Sequence, residues 1–99
     1  MSYRCIYQPL AVKEYKDAVE WYAERSKIAA EGFVKELKDK VAAICKEPLR
    51  YRNTYKEFRE IALKKYPFSI VYFVDEPNEV VIIASVHQQK RNPENKFPK

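Results

Sequence analysis

The chain contains a single histidine, His87, which closes the apolar run 80–86 and is followed three and four residues later by Lys90 and Arg91. An imidazole exchanges a proton near neutral pH, and two neighbouring cations can neutralise a phosphate, so the set suits acid–base work beside a phosphodiester. The same residues, with the Asn92 amide beside them, equally suit a patch that grips an acidic partner. Sequence alone leaves both roles open. Arg59 is a second candidate, an arginine in an otherwise apolar stretch with Phe58, Ile61 and Leu63. It can contact a substrate or target, or it can pair with Glu57 or Glu60 across a sheet. Trp21 is a third. It sits beside the centre of a helical apolar stripe, where packing at the edge of the core is the expected role and contact with a partner is the alternative.

The elements that must position these residues fit one domain. Ninety-nine residues with 46% hydrophobic content support one core and leave no room for a second. No run of eighteen apolar residues exists and the N-terminus has no signal-like stretch, so a cytoplasmic protein without a membrane span is expected. The net charge of +5 is uneven: residues 1–45 carry eight Lys/Arg against seven Asp/Glu, and residues 46–99 carry eleven against seven. A basic half favours an acidic partner, protein or nucleic acid. One glycine excludes a Gly-rich phosphate loop, and no cofactor is expected. Cys5 and Cys45 stand in apolar settings away from any metal-ligand spacing, which predicts two reduced, packed thiols and no metal site.

Residues 3–8 read as a first strand stopped by Pro9. From Leu10 the period changes: Val12, Tyr15, Ala18, Val19 and Tyr22 share one helical face, with Lys13–Asp17 and Lys16–Glu20 as outward pairs, to an end near Arg25. Ser26 caps a second helix carrying Ala30, Phe33, Val34, Leu37, Val41, Ile44 and Cys45 inward, with Glu31–Lys35 and Glu36–Lys40 outward, stopping before Pro48. So short a junction predicts a helix hairpin, and the small residues Ala29, Ala30 and Gly32 a close approach of the two helices. Three strands follow, at 55–63, 68–74 and 80–87. The last two form a hairpin through Asp75, Pro77 and Asn78, with Asn78 in the tight position. The strand at 68–74 alternates Phe68, Ile70, Tyr72 and Val74 with Ser69, Val71 and Phe73, and the last strand is apolar on both faces. The fold class is α+β, a helix hairpin on a small, mostly antiparallel sheet in the order β-α-α-β-β-β. Tyr66 and Tyr72 are expected to pack with satisfied hydroxyls, base stacking being the alternative.

This order resembles the RelE/ParE toxins of bacterial type II toxin–antitoxin modules. The resemblance rests on Ala18, Trp21 and Tyr22, on Ala30, Phe33 and Leu37, on Phe58, Arg59 and Glu60, on the run 65–72 (KYPFSIVY) and on 86–91 (VHQQKR). It implies a small toxin neutralised by a cognate acidic antitoxin protein, and one of two activities. RelE-like members cut messenger RNA on the ribosome with clustered basic side chains and a terminal tyrosine or histidine, whereas ParE-like members lack that set and act on DNA gyrase. Where the RNA-cutting group bears an arginine this chain has Ser69, where it bears lysines the chain has Glu60 and Ala62, and Asn95 stands where a terminal aromatic belongs. The resemblance therefore favours a ParE-like gyrase inhibitor, with Lys90, Arg91, Asn92 and Trp21 as target- or antitoxin-binding residues. The alternative is a ribosome-dependent endoribonuclease acting on mRNA, with His87, Arg59 and Arg91 as its catalytic set. An amphipathic antitoxin segment is expected to cover the sheet face left bare by the helices.

Overall fold

A computed structural model of the chain describes residues 3–89. The elements run β1 (Arg4–Tyr7), α1 (Pro9–Arg25), α2 (Lys27–Lys46), β2 (Asn53–Tyr55), β3 (Phe58–Ala62), β4 (Phe68–Asp75) and β5 (Val80–Gln88). The sheet order is β1-β5-β4-β3-β2, with β1 parallel to β5 and every other pair antiparallel. The α+β class and the helix–helix–sheet order are those expected. The expected strand at 55–63 is broken instead: Lys56 takes a left-handed backbone (φ 50°), so the chain turns there and leaves β2 as a short outer strand.

Both helices begin and end where local chemistry places them. Pro9 opens α1, where a missing N–H costs nothing. Ser26 ends α1 and starts α2: its N–H donates to Tyr22 O at 2.7 Å and its Oγ accepts from Ala29 N at 3.1 Å. One extended residue thus reverses the chain. The buried stripe of α1 runs through Ala11 and Ala18, flanked by half-buried Tyr15 and Tyr22, so it lies one residue away from the expected Val12. In α2, Ala30, Phe33, Leu37, Val41 and Ile44 are buried, as the periodicity predicts. Phe33, Leu37, Val41 and Ile44 pack on Phe68, Ile70 and Tyr72 of β4 and on Val81, Ile83 and Val86 of β5. Each fully buried side chain contributes roughly 1.5–3 kcal/mol of transfer free energy.

Gly32 does not serve helix–helix approach. A Cβ there would collide with the Tyr66 hydroxyl, which donates to Ala29 O at 2.8 Å, so the glycine admits a tyrosine from the turn before β4. Tyr66 closes an aromatic group with Tyr22, Phe33 and Phe68, at centroid separations of 5.1–5.5 Å. Of the outward pairs, Lys13–Asp17 forms at 2.7 Å, whereas Lys35 reaches Asp39 at 3.3 Å rather than Glu31. Glu36 turns to the sheet instead and accepts the main-chain N–H groups of Lys64 and Lys65 at 2.6 and 3.1 Å. In the β4–β5 turn the left-handed residue is Glu79 (φ 52°), not Asn78, because Asn78 is held by two bonds to the Asp75 carboxylate.

The cysteines correct the sequence reading. Cys5 and Cys45 form a disulfide, with Cα atoms 6.3 Å apart. The C-terminal end of α2 lies against β1, where Tyr3 N donates to Cys45 O at 2.8 Å, and a separation of 40 residues concealed that meeting. The second sheet face also differs from expectation. Val71 and Ala84 are fully buried there, Phe58 is buried, and the Phe58 and Phe73 rings meet edge-on at 5.6 Å across them. That face is a small core of its own. Among the described residues no helix is long and apolar enough to cross a membrane.

Candidate functional site

His87 lies near the end of β5, 4% exposed and directly opposite Ser69 of β4. Its neighbour Val86 faces the helices, so His87 faces the other side of the sheet. Arg59 pairs with Tyr72 across β3 and β4, and Tyr72 belongs to the helix-side core. The two candidate residues therefore sit on opposite faces. They are also separated by two strand spacings and about three residues along the strands, about 14 Å between Cα atoms at ordinary sheet dimensions. No reacting group can touch both.

Arg59 has a structural occupation that neither sequence reading anticipated. Its Nη1 donates to Tyr51 O at 2.6 Å and to Leu49 O at 3.3 Å, so it holds the α2–β2 connection rather than a carboxylate. Tyr72 does the same from the core: its hydroxyl donates to Pro48 O at 2.7 Å. Burial pushes the Tyr72 phenol up to about 12; the nearby Arg59 charge opposes that rise, and Tyr51 adds to it. Both Tyr66 and Tyr72 pack with satisfied hydroxyls, as expected.

Trp21 departs from the core-edge expectation. It is 51% exposed, its indole is edge-on to Tyr22 at 5.1 Å, and the Arg25 guanidinium lies 3.8 Å from the ring centroid. It forms one wall of a cleft of about 380 Å³ between α1 and the β4–β5 end of the sheet, lined also by Glu14, Asp17, Phe68, Val86 and Gln88. The chain leaves β5 at this rim. Gln89 is fixed there, its N–H on Pro67 O at 2.9 Å and its side-chain amide on Phe68 O and Ser69 Oγ, each at 3.2 Å. Lys90, Arg91, Asn92 and Asn95 lie outside the described residues.

Glu14 is the residue that sequence reasoning missed. Strand β1 ends opposite Ile83, so among the described residues β5 continues without a strand on that side. The Glu14 carboxylate fills the gap, accepting Val86 N–H at 3.0 Å and Ser85 Oγ at 2.7 Å through Oε1. An unpaired edge amide is thereby satisfied by a side chain. A signal existed: Glu14 falls at helical spacing between Ala11 and Ala18, on the buried stripe, where a carboxylate needs a partner.

Comparison with known proteins places this geometry. A family model described as the ParE toxin of the type II toxin–antitoxin system parDE matches residues 5–93. Among solved structures, the chromosomal ParDE system of P. aeruginosa superposes with a TM-score of 0.74 at 13% identity, covering 88% of this chain and 96% of that one. The isolated E. coli RelE toxin gives 0.63 at 19% identity, covering 96% and 93%. The intact E. coli RelBE toxin–antitoxin complex gives 0.63 at 20% identity, covering 91% and 100%. At these identities the structural likenesses establish the fold. No curated protein matches significantly. The family match spans nearly the whole chain, and the protein belongs to the ParE toxin family of type II toxin–antitoxin systems.

Proposed function

We propose that this toxin acts on DNA gyrase in the cytoplasm and is neutralised by a cognate acidic antitoxin. The observation that carries the choice of target is the separation of His87 and Arg59 on opposite sheet faces. Cleavage at a 2′-hydroxyl needs a base at the nucleophile and a cation at the same phosphate, within hydrogen-bond reach of one another's substrate atoms. Arg59 is occupied by main-chain carbonyls, and His87 is buried beside Ser69. The remaining positions where a nuclease of this fold would carry cations hold Glu60 and Ala62. With Arg59 occupied elsewhere the nuclease set is reduced to His87 and Arg91, and that depletion favours a toxin that works by binding.

The antitoxin assignment draws on the ParDE and RelBE complexes among the structural neighbours. In this chain the cleft beside Trp21 and the rim where Gln89 is held on Pro67 and Phe68 form one continuous candidate contact surface. Two assays test the reading together. Purified toxin should inhibit gyrase supercoiling, or trap gyrase-cleaved DNA, while leaving messenger RNA intact in a translating extract. Codon-linked cleavage with unaffected gyrase reverses the assignment and gives the nuclease role to His87. Induction without antitoxin should arrest growth, and normal growth with abundant soluble protein would refute toxicity altogether.

A further inference from the structure

We infer that the outer edge of the sheet, formed by the α2–β2 connection and β2, is a DNA-binding surface that contacts the phosphate backbone. It is remote in the sheet order from β5 and its C-terminal exit. Residues 46–59 carry Lys46, Arg50, Arg52, Lys56 and Arg59 against Glu47 and Glu57, a net +3 (5 − 2) within a chain of +5. Arg59 is spent internally, which leaves four exposed cations, Lys46 at the end of α2 and Arg50, Arg52 and Lys56 along the edge itself. Aromatic rings alternate with them. The Arg50 guanidinium lies 6.0 Å from the Tyr51 ring centroid, and Lys56 Nζ lies 5.3 Å from that of Tyr55, which is 45% exposed.

The surface is fixed by hydrogen bonds to its main chain, of which that from Tyr72 is buried. Tyr72 holds Pro48 O, Arg59 holds Leu49 O and Tyr51 O, and Glu60 N–H holds Arg52 O at 3.1 Å. Asn53 Nδ2 spans the turn, donating to Lys56 O at 2.7 Å and Phe58 O at 3.1 Å. A loop secured at four carbonyls around its basic side chains presents them without a large ordering cost. Cations spaced along the connection and β2, with the exposed Tyr55 ring among them and Tyr51 packed on the core behind, suit a nucleic-acid strand: the charges meet phosphates and Tyr55 accepts a base or sugar. An acidic peptide would use the charges and leave that ring idle. The choice of DNA rests on the gyrase reading, since gyrase presents DNA to whatever binds it; the surface itself stands apart from that reading.

The test is fluorescence anisotropy of the full chain with a labelled single-stranded DNA 20-mer, the same sequence as duplex DNA and as RNA, and a polyglutamate peptide. Binding to DNA should fall with salt at a log–log slope of about −2, from three phosphates at −0.7 each for a single strand. The variant Arg50→Glu/Arg52→Glu/Lys56→Glu should bind at least tenfold more weakly with a flattened slope. Tyr55→Ala should weaken single-strand binding roughly tenfold with the slope intact. A control with the same charge change on α1 and α2, Lys13→Glu/Lys35→Glu/Lys38→Glu, should keep more than half of the affinity, and circular dichroism verifies folding of each variant. Equal loss in the control, polyglutamate bound as tightly as DNA, or RNA bound without DNA each overturns the inference. Supercoiling assays on the same proteins keep the two ideas apart. Gyrase inhibition without DNA binding removes this surface and leaves the target, while DNA binding without gyrase inhibition does the reverse.

Discussion

Removing the Cys5–Cys45 bond, by reduction or by Cys5→Ser/Cys45→Ser, is the sharpest perturbation the fold offers. The bond closes a loop of 40 residues that contains both helices. Chain-entropy arithmetic for such a loop, 2.1 plus 1.5R ln 40, is about 13 cal/mol/K, or about 4 kcal/mol at 25 °C. That is a large share of the roughly 5–15 kcal/mol by which domains are stable. The full loss appears only while β1 stays docked, and β1 is weakly held: Arg4, Ile6 and Tyr7 are exposed and, among the described residues, its strand partner is β5 over four residue pairs. Reduction should therefore act in two places. Thermal unfolding should shift down by at least 10 °C, since roughly 4–8 °C accompanies each kcal/mol in a domain of this size. Before that, hydrogen exchange should speed up at Arg4 and Gln8, whose N–H groups bond to Glu79 O and Ile83 O, while β4 amides keep their protection. The double serine variant should match reduced protein and ignore reductant. A melting temperature within 2 °C with and without reductant, in protein shown by mass to be oxidised at the start, would refute the argument.

Further tests follow from the hydrogen bonds and contacts above. Tyr72→Phe strands the buried Pro48 carbonyl and should cost about 1–3 kcal/mol, read by urea unfolding. Because the folded Tyr72 phenol titrates at about 12 instead of its ordinary 10, its contribution is complete below pH 10 and declines as pH rises toward 12. Wild type should thus lose a few kcal/mol at most over that interval relative to Tyr72→Phe, and parallel alkaline profiles would contradict the burial argument. Gly32→Ala should destabilise the wild type by collision with the Tyr66 hydroxyl, yet stabilise a Tyr66→Phe background by up to about 1 kcal/mol through helix propensity. Equal effects in both backgrounds would show that the hydroxyl does not set the glycine. Glu14→Ala should cost about 1–3 kcal/mol and speed exchange of the Val86 amide, and an unchanged amide would mean that water replaces the carboxylate.

Local patterns in the sequence reached the helices, the β4–β5 hairpin and the Ser26 cap, because periodicity and capping are written within a few residues. The chain did not reveal contacts made across tens of residues. Cys5 and Cys45, Glu14 with Ser85 and Val86, and Glu36 with Lys64 and Lys65 are all of that kind. Arg59 stands out in the sequence, yet its partners do not, since a main-chain carbonyl leaves no mark in side-chain identity. His87 was placed on the right strand, but its face depends on the irregular register between Val71 and Tyr72 of β4 and their partners in β5, where Ala84 is the extra residue. The split of 55–63 turned on one backbone angle at Lys56, a residue type that seldom adopts it.

The parallel pairing of β1 with β5 joins the first strand to the last among the described residues. A ribosome adding about 5–20 residues per second needs about 4–15 s to go from Tyr7 to Val80, and for that interval β1 has no strand to join. The sheet can be completed only after the β4–β5 hairpin has emerged. A nascent chain of this toxin therefore lacks its finished sheet until β5 has been made, and whatever recognises the assembled sheet, target or antidote, meets it only once translation of β5 has ended.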